Sequence, residues 1–227
     1  MEEYLKEAEQ VGYQDKKVAV TVGRMNPPTR GHYKVINAMK AFIRDNPKLG
    51  LDAIPVVVIV AGSKSDSDKK RNPLTGEERK SFMESSGKAN GVKFLIAPNA
   101  FAAFAKVREE GMEPIAFAAG EDRIGEYQPM LDKHFTKDGK PVKHHPIKLE
   151  RDFDDEHEDG DSYFKKVVDM INDGDSVSDD MISGSLARYA VENGEEKAFA
   201  YITGLEKKPK LASSLFKKVK EAMNVPA

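Results

Sequence analysis

Apolar residues return along the chain in two alternating rhythms. Val18-Ala-Val-Thr-Val22 is a run of strand length, and behind it Val35, Ile36, Met39, Phe42 and Ile43 recur at helical spacing. The pattern predicts a strand over 18–22 and a helix from about Gly31 to Arg44. Ile54-Pro-Val-Val-Val-Ile-Val-Ala61 is apolar throughout, as expected of a strand covered on both faces. A helix is predicted over Thr75–Ser85, its start marked by Thr75 and Glu78 as an S/T-x-x-E capping box. A strand at Val92–Ala97, a helix at Ala100–Glu110, a strand at Ile115–Ala119 and a fifth strand at His145–Leu149 complete the alternation.

Repeated strand–helix units of this length imply parallel strands joined by right-handed crossovers. The expected fold is α/β, a Rossmann-like doubly wound parallel sheet with a C-terminal helical segment. Residues 1–174 are expected to form the α/β core and 175–227 the helical segment. Within the core, residues 150–161 are mostly acidic and are read as a loop. They lack the Asp-x-Asp-x-Asp-Gly spacing of an EF-hand, and no metal ligand set is predicted. His144 and His145 are read as strand or loop residues. Asn193-Gly194 marks a helix stop. The last helix puts Leu211, Leu215, Phe216 and Val219 on one face, with Lys210, Lys217, Lys218 and Lys220 mostly solvated.

Composition narrows the class. A chain of 227 residues, 39% hydrophobic and 33% charged, is long enough for one α/β domain and too apolar to be disordered. A net charge of −2 gives no polyanion-binding surface, so nucleic acid is not the expected partner. The absence of cysteine excludes disulfides and thiolate metal sites and fits a reducing compartment. The first residues, Met-Glu-Glu-Tyr-Leu-Lys, do not read as a signal peptide, and no apolar run is long enough to span a bilayer. A soluble cytoplasmic protein without membrane contact is expected, and a homo-oligomer is allowed for.

The candidate chemistry lies between the first strand and the first helix, in Gly23-Arg-Met-Asn-Pro-Pro-Thr-Arg-Gly-His32. The loop offers a hydroxyl, a glycine and an imidazole where free helix N–H groups and the helix dipole favour an anion, as a nucleotide phosphate requires. In doubly wound sheets the ligand lies beyond the carboxyl ends of the strands, which is where this loop falls. Thr29-Arg30-Gly31-His32 resembles the signature of the His-x-Gly-His nucleotidyltransferase superfamily, in the variant with Thr in place of the first His. Met181-Ile-Ser-Gly-Ser-Leu-Ala-Arg188 resembles the superfamily's second signature, Ile-Ser-Ser-Thr-x-x-Arg, with Gly184 for its second serine and Ser185 for its threonine. Asn72-Pro-Leu-Thr-Gly-Glu-Glu-Arg79 resembles the Asn-Pro-Phe-Thr-x-x-Glu-Arg segment of archaeal-type nicotinamide-nucleotide adenylyltransferases. The capping box alone accounts for its Thr75 and Glu78. Gly120-Glu-Asp-Arg123 resembles a Gly-Ser-Asp-Arg stretch that contacts nucleotide in relatives, and reads equally as a polar loop.

The resemblance implies transfer of an adenylyl group from ATP to a small phosphorylated acceptor, with nicotinamide mononucleotide the best guess, NAD the product and pyrophosphate the leaving group. It implies that His32 and Thr29 bond the α-phosphate and that Gly31 lets the nucleotide lie against the backbone. Ser183, Ser185 and Arg188 would hold the pyrophosphate part, with Gly184 among the nucleotide-binding positions, and Arg24 would steady the triphosphate or the incoming phosphate. Gly23, Met25, Asn26, Gly120, Asp122 and Arg123 complete the implied nucleotide site. Mg²⁺ would bridge phosphate oxygens without a protein cage. Relatives often stack the nicotinamide ring on tryptophan, which this chain lacks; Tyr127, Phe117 and Phe101 are the candidate substitutes. Two alternatives stay open: a cytidylyltransferase acting on a phosphorylated alcohol, and a nucleotide-binding module without catalysis.

Overall fold

The computed structural model describes residues 16–62, 67–134, 136–137, 140–141, 144–149 and 160–224. Five strands form one parallel sheet: β1 (Lys16–Gly23), β2 (Val56–Val60), β3 (Lys93–Ala97), β4 (Met112–Gly120) and β5 (His145–Leu149), in the order β3-β2-β1-β4-β5. The helices are α1 (Arg30–Asp45), α2 (Gly76–Ser86), α3 (Ala100–Glu109), α4 (Glu121–His134), α5 (Gly160–Asp173), α6 (Gly184–Glu192), α7 (Glu196–Ile202) and α8 (Pro209–Ala222). A two-residue ribbon pairs Thr136–Lys137 with Lys140–Pro141.

The alternation of side chains along each strand builds two cores from one sheet. Val18, Val20, Val22, Val56 and Val58 point to the face covered by Phe104 and Val107 of α3 and Ile124 and Leu131 of α4. Ala19, Val57, Ile59, Ala116 and Ala118 point to the other, covered by Tyr33, Ile36 and Met39 of α1 and Met83 of α2. Helices on both faces explain why the runs at 18–22 and 56–60 carry almost no polar residue. The fold is therefore Rossmann-like and doubly wound. Thr21, the one hydroxyl in the first run, donates to the Ala118 carbonyl at 2.8 Å across the β1–β4 pair.

Chain order runs from β1 outward through β2 to β3, then crosses to β4 on the other side of β1. The carboxyl ends of β1 and β4 thus flank the switch point where such sheets open a crevice. A third core lies among the C-terminal helices, where Val167, Val168 and Ile171 of α5 pack with Leu186 and Val191 of α6, Phe199 of α7, and Leu215, Phe216 and Val219 of α8. Leu74, from the segment before α2, joins this cluster and ties it to the sheet domain.

Several boundaries differ from the sequence reading. β4 begins three residues before Ile115, because Met112 and Pro114 pair with β1 despite their weak strand signal. Ile54 and Pro55 precede β2, and Ile54 is exposed. Gly120–Arg123 is not a loop: Gly120 ends β4 and Glu121 starts α4 directly. Of the acidic stretch, 150–159 falls outside the described residues, while Gly160 and Asp161 begin α5. Asn193 caps α6 and Gly194 takes φ +74°, so the helix stop falls where the Asn-Gly pair placed it. No helix among the described residues is long and apolar enough to cross a membrane.

Candidate functional site

The loop from β1 to α1 is held by backbone-directed side chains. Met25 takes φ +51°, a left-handed conformation that costs an ordinary residue about 1–2 kcal/mol. Its buried side chain, packed in the α1 face of the core, holds it there. Asn26 is also buried; its amide donates to the Leu74 carbonyl at 2.8 Å and accepts from the Leu74 N–H at 3.1 Å. Its side-chain amide is thus engaged by the neighbouring segment, while the residue lines the cleft. Arg79, fully buried, donates to the carbonyls of Thr75 (3.0 Å), Val60 (2.9 Å) and Arg24. The Asn72–Arg79 segment is thus scaffolding: a complete Thr75–Glu78 capping box and a guanidinium that joins the ends of β1 and β2.

Thr29 is the N-cap of α1 and is almost wholly buried. Its N–H donates to His32 Nδ1 at 3.0 Å, and its Oγ1 lies 2.9 Å from the same nitrogen. A backbone N–H can only donate, so Nδ1 is the accepting nitrogen and the neutral ring carries its proton on Nε2. His32 lines the cleft, and the cap therefore fixes which nitrogen is the donor.

The second half of the site comes from the segment before α6. Ser183 caps that helix, its Oγ accepting from Leu186 N–H at 3.1 Å. Arg188, one turn in, donates through Nη2 to Ser185 Oγ at 3.0 Å and through Nη1 to the Asn26 carbonyl at 2.7 Å. Two glycines let the halves meet. A Cβ on Gly184 would stand 3.2 Å from the Asn26 carbonyl oxygen and 3.4 Å from Arg188 Nη1, which gives a packing reason for glycine at this position. A Cβ on Gly31 would stand 2.8 Å from the Ile182 carbonyl oxygen. On the side a Cβ would take, the space beside Gly31 is filled by the 179–182 backbone, while the residue still lines the cleft. Gly31→Ala must displace the 179–182 segment and is expected to cost about 1–3 kcal/mol, as overpacking does. Urea denaturation checks it, and an unchanged midpoint would refute the close-packing role.

One cleft collects these groups at the carboxyl edge of the sheet. Gly23, Arg24, Met25, Asn26, Thr29, Gly31 and His32 line it from the first half, and Ser183, Gly184, Ser185 and Arg188 from the second. Gly120 and Arg123 line it from the β4–α4 junction. Asp122 is the second residue of α4, and its side chain is outside the described residues. Tyr127 reaches the cleft, its ring edge-on to Phe117 at 5.1 Å. Phe117 itself is in the core and Phe101 is exposed on α3.

The electrostatics favour an anion. Burial lowers the Arg188 pKa to about 10, and the charges of Arg24 and Arg71 push it the same way, against Glu192 and Asp68. At neutral pH the guanidinium remains charged, so the cleft holds a partly desolvated cation among like charges that a bound phosphate would relieve. Sequence reasoning missed Arg71, Lys34, Asp179 and Asp180, all of which line the cleft. Arg71 directly precedes Asn72, and Asp179-Asp180 directly precedes Met181, so adjacency to the motifs was the available signal. Among the described residues no group of three or more His, Cys, Asp or Glu side chains is placed to hold a metal ion.

No family model matches the chain, and no curated protein matches it. Among solved structures it is similar to the crystal structure of a macrolide-efflux protein from Streptococcus pneumoniae, with 16% identity, a TM-score of 0.46 and 86% of this chain covered. The chain spans 57% of that protein's length. Fold and cleft together define an α/β protein with a cationic crevice at the switch point of its sheet.

Proposed function

We propose that this chain is a nucleotidyltransferase that moves an adenylyl group from ATP to a small phosphorylated acceptor, with nicotinamide mononucleotide as the preferred acceptor. One observation carries the reading: the Thr29–His32 cap and the Ser183–Arg188 turn, far apart in sequence, face one cleft in which Arg188 is partly desolvated beside the like charges of Arg24 and Arg71. Both are N-terminal turns of helices, where free N–H groups and the dipole suit phosphate.

In this reading an ionised phosphate oxygen of the acceptor attacks the α-phosphorus of ATP in line. The bond from that phosphorus to the bridging oxygen breaks, and pyrophosphate leaves with the electron pair. The nucleophile is already an anion, so no side chain has to remove a proton. The barrier falls through positioning and charge stabilisation. His32 donates from Nε2 to a non-bridging α-phosphate oxygen, with Thr29 holding the ring. Arg188 and the hydroxyls of Ser183 and Ser185 receive the departing pyrophosphate. Arg24 steadies the triphosphate or the incoming phosphate. Mg²⁺ would supply charge neutralisation and would come with the nucleotide, since Asp179 and Asp180 are engaged by Arg30 and Lys34. Tyr127 is the aromatic side chain in the cleft available to a base or pyridine ring.

Pyrophosphate release is the test, with Mg²⁺, ATP or CTP, and nicotinamide mononucleotide or its acid form. Release with ATP and either mononucleotide supports the reading. Release with CTP and a phosphorylated alcohol instead would move the assignment to a cytidylyltransferase. Ligand-induced thermal stabilisation without release would identify a binding module.

A further inference from the structure

The two halves of the cleft are joined by a clasp built on a residue to which the motifs assign no role. Arg30, the variable residue of Thr29-Arg30-Gly31-His32, points away from the phosphate-binding groups. Its Nε donates to Asp179 Oδ1 at 2.7 Å and its Nη1 to Glu206 Oε1 at 3.0 Å. Its guanidinium lies 4.4 Å from the centroid of the Tyr201 ring. Tyr201 Oη in turn accepts from the Val177 N–H and donates to the Val177 carbonyl, each at 3.1 Å. One turn further along α1, Lys34 pairs with Asp180. The segment 177–182 is therefore gripped at both ends from α1 and α7, immediately before the Ser183 cap. Gly31 makes the approach close enough for Ile182 to pack on the first turn of α1.

From this arrangement we infer that Asp179 and Asp180 are positioning residues: they set the separation of the two phosphate-binding turns by holding the 179–182 segment against Arg30 and Lys34. The inference rests on reading the cleft as a polyphosphate site. Ion pairs this accessible add little to global stability, so their effect is local placement. Their sign makes the inference sharp. An acidic side chain lining a cleft that binds an anion should weaken binding by Coulomb repulsion, and its neutralisation should tighten it. If the carboxylate holds the site in register, neutralisation should weaken binding instead.

The probe is inorganic tripolyphosphate, titrated calorimetrically into the full chain. Asp179→Asn is expected to bind roughly tenfold more weakly than the unaltered protein, a loss typical of disturbed positioning, with a melting temperature within a few degrees. Asp180→Asn is expected to shift affinity the same way. Glu206→Gln removes the other partner of Arg30, outside the cleft lining, and is expected to leave affinity within about twofold. Equal or tighter binding by Asp179→Asn, in a protein whose parent binds tripolyphosphate, would overturn the positioning role alone. No binding by the parent would overturn the polyphosphate reading and the inference with it.

Discussion

Replacing His32 by alanine is expected to lower turnover by roughly 10²–10³, the loss seen when one donor to a developing charge is removed. The geometry makes the prediction specific to one atom. Thr29 N–H occupies Nδ1, so Nε2 is the nitrogen from which the neutral ring donates, and His32 lines the cleft. His32 also closes the cap of α1, and its loss has a structural component that must be separated from catalysis. His32→Gln does so, because glutamine at the third helical position completes a capping box. That variant is expected to keep the melting temperature of the parent within a few degrees and to lose most of the rate. Pyrophosphate release under saturating ATP, measured for both variants, reads the effect. If His32→Ala turned over within threefold of the parent, the donor role would be wrong. If His32→Gln were fully active, the imidazole would not be the required group.

The second large effect is on stability. Arg79→Met should cost about 3–5 kcal/mol, the range for removing one member of a buried charged network. Methionine fills much of the same space but leaves the carbonyls of Arg24 and Val60 without the guanidinium donor. Each buried acceptor stripped of a donor costs about 1–3 kcal/mol. In a chain of this size that corresponds to a fall in melting temperature of roughly 6–20 °C. Arg79 binds the carbonyl of Arg24, so the variant should also loosen the β1–α1 loop that lines the cleft and, under the proposed function, raise the KM for ATP. A melting temperature within a degree or two of the parent would show that Arg79 is not the anchor described.

The sheet was legible because burial on both faces leaves an unmistakable trace: Val18–Val22 and Val56–Val60 have no polar face to hide. Capping chemistry was legible too, since Thr75–Glu78 and Asn193-Gly194 act through neighbours in sequence. The start of β4 was not, because Met112-Glu-Pro carries weak strand propensity and joins the sheet through pairing with β1. Most of the residues that line the cleft fall in two short motifs and were legible as neighbours in sequence. What the motifs could not convey was which groups face inward to the scaffold. Asn26 and Gly31 line the cleft, and the motifs gave no sign that one also binds Leu74 and the other admits the Ile182 carbonyl. Pairings such as Arg30 with Asp179 leave no local periodicity, and only the folded chain reveals them.

The same separation bears on how the protein is made. Arg30 and Asp179 are 149 residues apart. At about 5–20 residues per second of synthesis, roughly 7–30 s pass between the emergence of one and the other. During that interval the nascent chain can pair β1, β2 and β3 and seat α1, but it has no second wall to its crevice. A ligand that bridged both walls would therefore stabilise only chains long enough to carry both. Its presence in the cell would favour completed chains over stalled fragments without any chaperone being involved.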